Sequence, residues 1–265
     1  MSVHPSAVIH QDARIDTTAA VGPFAVIGGN VEIGPRCVIG PHVWLDHARI
    51  GGGTRIGANS LIGGDPQMVN WKEVPSLVRI GMNNDIRELV TIHRGKDENS
   101  QTLVGNDCMI MTNTHVGHDC AIGDNVIITT YAGLSGHVAV GNHVIIGGQV
   151  GIHQFVRIGE YAMIGGMARL VQDVVPYMLA EGSPAHIRNF NVVGLKRKGF
   201  SDAARADIKR AFKILFVKRG NLQAAKEGLA ALPDESGHVR KIIDFINASK
   251  RGITTGKKHG AEAEE

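Results

Sequence analysis

Residues 104–170 read VGNDCM-IMTNTH-VGHDCA-IGDNVI-ITTYAG-LSGHVA-VGNHVI-IGGQVG-IHQFVR-IGEYAM-IGGMAR-L. Val104, Ile110, Val116, Ile122, Ile128, Leu134, Val140, Ile146, Ile152, Ile158, Ile164 and Leu170 stand six apart without a break. The same step runs earlier through Val3, Ile9, Ile15, Val21, Ile27, Ile33 and Ile39, then Ile50, Ile56 and Ile62, and again Ile80, Ile86 and Ile92. A period of six fits neither a 3.6-residue helix nor an alternating strand; it is the period of a hexapeptide β-helix. Each unit supplies one short strand and one corner. With three units to a coil, residues eighteen apart stack at a spacing of about 4.8 Å. The aliphatic residue points into a narrow prism that accepts one β-branched side chain per face per layer. That accounts for 5% aromatic residues beside 43% hydrophobic ones, and the 34 glycines suit the tight corners.

Outward from this block, the repeat is interrupted over 64–78, which includes Trp71, and over 94–103. Both segments are expected to project as loops, where a regular scaffold carries its binding groups. After Phe200 the period becomes helical. Ser201 caps a helix bearing Ile208, Ala211, Phe212, Leu215 and Phe216 that ends near Gly220. A second helix follows Asn221, and Val239, Ile242, Ile243 and Ile246 mark a third. The polar stretch 250–265 reads as disordered. The expected organisation is a repeat domain over 1–187 and a helical domain with a disordered tail over 188–265, the helices covering part of an open coil edge.

Composition narrows the function. Three cysteines, Cys37, Cys108 and Cys120, are too few and odd in number for a disulfide framework and point to a reducing cytoplasm. No signal segment opens the chain and nowhere do eighteen apolar residues run together, so neither export nor a membrane span is expected. A net charge of +3 does not argue for nucleic acid. Lys196, Arg197 and Lys198, then Lys209, Arg210, Lys213, Lys218 and Arg219, gather positive charge beyond the repeats. This cluster reads either as a solvated helix face or as a docking surface for an acidic partner.

Chemistry enters with the histidines. The eighteen-residue rule puts His118, Gly136 and Gln154 in one column, with Asp119 beside His137 on the next coil. An imidazole at His118 can take a proton from a hydroxyl, Asp119 can hold its tautomer, and the Gly136 N–H can stabilise an oxyanion at a thioester carbonyl. The bland alternative is a set of polar corner residues on a wet coil. Metal chemistry of the kind found in gamma-type carbonic anhydrases needs a His-x4-His pair with a third histidine two coils upstream. His42 and His47 have the spacing, but Ser6 and Gln11 stand upstream, so no metal is expected.

Taken together, Thr91-Ile-His-Arg-Gly95, Asn113-Thr-His-Val-Gly-His-Asp119, Gly136-His137, Ile152-His-Gln-Phe155, Gln172-Asp173 and Gly194-Leu-Lys-Arg197 resemble the acyl-carrier-protein:UDP-N-acetylglucosamine O-acyltransferases, which open lipid A synthesis. The resemblance spans nearly the whole chain. It implies a mainly β fold, a left-handed parallel β-helix with a C-terminal α-helical domain, in a homotrimer with sites between subunits. It implies His118 as general base, Asp119 as its orienting partner and Gly136 as oxyanion donor. Gln67, His115, His137, His153 and Gln154 match the sugar and acyl site, Gly166 the acyl-chain ruler, and Asn191 and Arg197 the nucleotide side. The implied reaction moves an (R)-3-hydroxyacyl group from acyl carrier protein to the 3-position of the UDP-sugar. No cofactor is needed beyond the carrier's phosphopantetheine.

Three departures touch the acceptor. Met68-Val69-Asn70 replaces Asp-x-Lys, Asn191-Val192-Val193 replaces Asn-x-Glu, and Ser183-Pro184 replaces Asn-His. The first leaves a 3-amino sugar open as acceptor. The alternatives in other classes are an acetyl-CoA-dependent or N-acyl hexapeptide transferase, and a non-catalytic β-helix scaffold.

Overall fold

Short parallel strands pair eighteen residues apart, Met109 with Ile127, Ile127 with Ile145 and Ile145 with Met163, so each coil of the chain climbs by one strand spacing. The computed structural model describes residues 2–218 and 220–256. The strands fall into three sheets of eleven, nine and eight members, the three faces of a left-handed parallel β-helix that carries a helical C-terminal domain.

Each hexad turns in two residues rather than one. The predicted aliphatic position is buried throughout the long block, Ile110, Ile128 and Ile146 at 0% exposure, and a second, smaller residue four places on is buried with it. Cys108, Cys120, Val126, Ala132 and Val138 occupy that second position, as does Cys37 four places after Ile33, so all three cysteines are core residues. The residue just before the small one takes a left-handed backbone at every corner: Asp119, Asn125, Tyr131, His137, His143, Gln149 and Phe155 all have φ between 57° and 66°. Asn, Asp and His are enriched in that region because their side chains are short or hydrogen-bond locally.

The interruptions shift the register. Val78 pairs with Ala48 and Leu77 with Gln101, so the stacking step widens to thirty and then to twenty-four residues across the two loops. The second loop is shorter than its sequence suggested, because Gln101–Val104 is already a strand. Arg94, 2% exposed, pins both loops together. It pairs with Asp65 at 2.8 Å and Glu73 at 3.3 Å and lies over the Trp71 ring, whose Nε1 donates to the Lys96 carbonyl.

After the last parallel strand, Met178–Glu181, the chain reverses into an antiparallel strand, His186–Phe190. Four helices follow: α1 Val192–Arg197, α2 Asp202–Phe212, α3 Leu222–Ala230 and α4 His238–Asn247. Ser201 and Asn221 cap α2 and α3 as expected, each side chain accepting a backbone N–H. Three features differ from the sequence reading. The short α1 was not foreseen, its six residues being too few to show a period. The expected helix to Gly220 gives way at Lys213–Val217 to a π-helical turn that carries Leu215 and Phe216. Residues 250–256 of the expected disordered tail pack on the prism: Ile253 and Thr254 are buried, and Thr254 N–H donates to the Asp173 carbonyl. Thr254 and Ser249 tie this strap to the backbone and carboxylate of fully buried Asp173, an anchoring that hydropathy does not reveal. The rest of the tail and Arg219 lie outside the described residues. Among the described residues no helix is long and apolar enough to cross a membrane.

Replacing Ile128 by alanine should cost about 2–5 kcal/mol in urea unfolding, the range for truncating a fully buried aliphatic residue. Replacing Val8, 63% exposed, should change stability by less than about 0.5 kcal/mol. Equal effects would show that the prism core does not carry the fold.

Candidate active site

Loops 64–78 and 94–103 overhang one corner of the prism, and beneath them lies a cavity of about 400 Å³. Gln67, Met68, His93, Lys96, His115, His118, Ser135, Gly136, His137, Gln154 and Phe155 line it. The registry predicted from sequence holds here. A Cβ built on Gly136 would stand 2.5 Å from both Cε1 and Nε2 of His118, so only a glycine lets the two coils stack with the imidazole between them. The Gly136 N–H donates to no acceptor among the described residues.

His118 Nδ1 lies 2.7 Å from Asp119 Oδ2. An ionised carboxylate only accepts, so the ring carries its proton on Nδ1 and presents the Nε2 lone pair toward Gly136. Asp119 is itself braced. Its backbone N–H donates to Thr102 Oγ1 at 2.8 Å, and its Oδ2 takes the Lys96 N–H at 3.1 Å. Burial alone would raise its pKa, but hydrogen bonds from His118, Ser100 and Lys96 outweigh that and hold the carboxyl below its ordinary range.

The other rings are kept neutral. Burial, with His93 and His118 close by, pushes His115 down to about 4, and its Nδ1 is 2.9 Å from Thr91 Oγ1. Burial likewise lowers His93 and His137. His137 stacks flat on Phe155 at 4.5 Å and meets His118 edge-on at 5.2 Å. Its Nε2 is 3.8 Å from Asp119 Oδ2, buried and without a hydrogen-bond partner. His118, Asp119 and His137 are the described residues whose ligand atoms lie close enough together, within 4.8 Å, to hold a metal ion.

Of the residues singled out from sequence, Gln67, His115, His118, Gly136, His137 and Gln154 line this cavity, with Asp119 behind His118. His153 is exposed and follows Ser135 in its column by eighteen residues. Gly166 lines a different cavity with Glu181, Ser183 and His186. Asn191 caps α1, its Oδ1 accepting the Gly194 N–H while its Nδ2 donates to the Tyr161 carbonyl, and Arg197 is exposed at the end of that helix. Sequence reasoning missed His93, Lys96, Ser100, Thr102 and Phe155. Phe155 was within reach, being eighteen residues from His137, and so was Thr102, on a strand that pairs eighteen residues on; His93, Lys96 and Ser100 sit on or beside an insertion that breaks the stacking rule.

A family model for UDP-N-acetylglucosamine O-acyltransferase domain 2 matches residues 173–254, and one for six bacterial transferase hexapeptide repeats matches 101–136. A model for the GMPPB C-terminal domain matches 3–96. The acyl-[acyl-carrier-protein]–UDP-N-acetylglucosamine O-acyltransferase of Gloeothece citriformis is 40% identical over 214 residues, covering 79% of this chain and 77% of the relative. That of Burkholderia orbicola is 41% identical over 209 residues, covering 77% and 80%.

The chain belongs to the UDP-N-acetylglucosamine O-acyltransferase family.

Solved structures of this acyltransferase family carry the likeness through the full chain. The UDP-N-acetylglucosamine acyltransferase of Francisella novicida superposes with a TM-score of 0.92 at 37% identity, over 99% of both chains. The O-acyltransferase of Moraxella catarrhalis gives 0.91 at 36% identity, over 96% of this chain and 100% of that one.

The lowered histidines make acid stability a readout of the acyltransferase site. Between about pH 6.5 and about 4 the unfolded chain takes up a proton that buried His115 refuses. More protons bound in the unfolded state means that stability rises with pH, so it should fall steadily as pH drops through this window. His115→Gln should flatten that part of the curve in urea melts taken at successive pH values; an unchanged slope would show that His115 is not desolvated.

Proposed function

We propose that the chain transfers an (R)-3-hydroxyacyl group from acyl carrier protein to the 3-position of UDP-N-acetylglucosamine, with His118 as general base. The observation that carries this reading is the contact between the Nε2 edge of His118 and the bare backbone of Gly136. A hydroxyl placed between them loses its proton to Nε2 as its oxygen attacks the thioester carbonyl. The new C–O bond and the tetrahedral oxyanion form together, and the Gly136 N–H, which has no acceptor among the described residues, stabilises that oxygen. Asp119, held ionised, supports the imidazolium that results. Collapse breaks the C–S bond, and the imidazolium returns its proton to the departing thiolate. The balance needs no organic cofactor or metal; the acyl group arrives on the carrier's phosphopantetheine.

Gln67, His115, His137, His153 and Gln154 are assigned to the sugar and acyl groups. Gly166, Asn191 and Arg197 lie off this cavity, and a homotrimer, in which a neighbouring copy brings such groups to the cleft, accounts for their family roles. The exposed Lys196, Arg197, Lys198, Lys209, Lys213 and Lys218 suit an acidic carrier protein, and a cytoplasmic location suits both substrates and three free cysteines. Met68 lines the cavity where the family pattern has a charged residue, which favours testing a 3-amino acceptor beside the 3-hydroxyl sugar.

His118→Ala should lower kcat by about 10²–10⁴, the usual weight of a positioned acid–base group, with the fold intact by circular dichroism. A donor panel of graded acyl length, run against both sugars with products weighed by mass spectrometry, names the substrates. Absence of acyl transfer to either sugar would refute the assignment.

A further inference from the structure

We propose that His118, Asp119 and His137 also form a binding site for a divalent transition-metal ion of the Zn²⁺ class, and that occupancy holds the transferase inactive. The inhibitory half rests on His118 being the base; the binding half rests on geometry alone.

His118 Nδ1 and His137 Nε2 stand 2.7 and 3.8 Å from the same oxygen, Asp119 Oδ2. Two ligands at about 2.0–2.2 Å from a tetrahedral zinc lie about 3.3–3.5 Å apart, so the observed separations straddle what the ion requires. Side-chain shifts of about half an ångström would seat it. The ligand types suit zinc, nickel or cobalt: two imidazoles and one carboxylate.

The second observation is the idle nitrogen. His137 Nε2 is buried without a partner, an arrangement that native proteins rarely leave uncompensated. Its ring is fixed by the flat stack on Phe155 and by a left-handed backbone with φ of 61°, while Asp119, on the coil below, has φ of 59°. The His137 N–H donates to the His118 carbonyl at 3.0 Å, which locks the two coils in register. The nearby cation, Lys96, is paired with Asp97 at 2.6 Å, which offsets its repulsion of an incoming ion. The remaining coordination position opens into the cavity, where water can fill it.

Inhibition follows from the tautomer. A neutral imidazole carries one ring proton, now on Nδ1. An ion bound at Nδ1 moves that proton to Nε2, so the ring gains a metal–nitrogen bond and keeps its hydrogen but loses the lone pair that faces the acceptor hydroxyl. Asp119, turned to the metal, no longer orients the ring.

The test titrates the full-length chain with Zn²⁺ against a chromophoric chelator and with Co²⁺ as an optical probe, and follows acyl transfer over the same concentrations. One ion per chain is expected, with inhibition tracking occupancy and reversed by EDTA. His137→Ala and Asp119→Asn, each checked for folding by circular dichroism, should weaken binding by at least about ten-fold, the lower end of the loss seen when even a supporting partner is removed. His115→Ala should leave the affinity unchanged. Failure to bind one ion per chain, unaltered affinity in His137→Ala, dependence on His115, or binding without inhibition would each overturn the proposal. Full activity of metal-free His118→Ala would instead strike at the assignment of the base, while the titration still reports on the site.

Discussion

One backbone pairing governs this molecule: every parallel strand hydrogen-bonds to the strand one coil away, and residues beyond the regular step must leave the prism as a loop for that pairing to continue. The narrow prism this creates has room for Ile110, Ile128 and Ile146 stacked on one face and for Cys108, Val126 and Val144 at the corner before it, all within 2% of complete burial. A larger residue would overfill the layer and a missing one would open a cavity, both destabilising in a close-packed interior. Because the inward positions are set so tightly, the outward positions are set with them. The column of His118 and Gly136 is a by-product of packing isoleucines.

The same regularity explains how much was legible. In the block 104–170 the step never varies, and the stacking of His118 on Gly136 and of Asp119 beside His137 could be read by adding eighteen. Where the step changes, reading fails for a physical reason. The insertion before Gln101 makes Leu77 pair twenty-four residues on, so nothing in the spacing places Lys96 against Asp119, whereas Thr102 lies on a strand that already keeps the eighteen-residue step. The helices were legible where a cap and an apolar stripe coincide, as at Ser201, and illegible at α1, where Asn191 caps only six residues. The strap at 250–256 looked disordered because its anchors are a backbone carbonyl and a buried carboxylate on Asp173, contacts that hydropathy cannot register.

The two loops that escape the regular step are nonetheless as fixed as the coils. Arg94 is buried to 2% exposure and shares its guanidinium between Asp65, Glu73 and the Val74 carbonyl, so loop 64–78 is held by a residue at the root of loop 94–103. A buried cation left without these partners would cost several kcal/mol, which makes the pair of loops one cooperative unit. That unit carries Gln67 and Met68 on one side of the cavity and Lys96 on the other. The wall of the cavity formed by Gln67 and Met68 and the bracing of Asp119 are therefore mechanically linked through Arg94.

The electrostatics of the corner then single out one ring. Four imidazoles, His93, His115, His118 and His137, gather in this corner, and two of them, His118 and His137, reach the Asp119 carboxylate. Burial makes a positive charge unfavourable on three of them, and their mutual proximity adds to that cost. His118 is the ring in direct contact with the Asp119 carboxylate, whose own negative charge is secured by Ser100 and the Lys96 N–H. The Cε1–Nε2 edge of that ring lies where a Cβ on residue 136 would stand, so it packs against the bare backbone of Gly136. Slip one coil by a single residue, and the packing of His118 on Gly136 disappears although every side chain is still present. What separates these near-identical imidazoles is which of them hydrogen-bonds to the carboxylate, and the prism creates that difference by fixing the register of its coils.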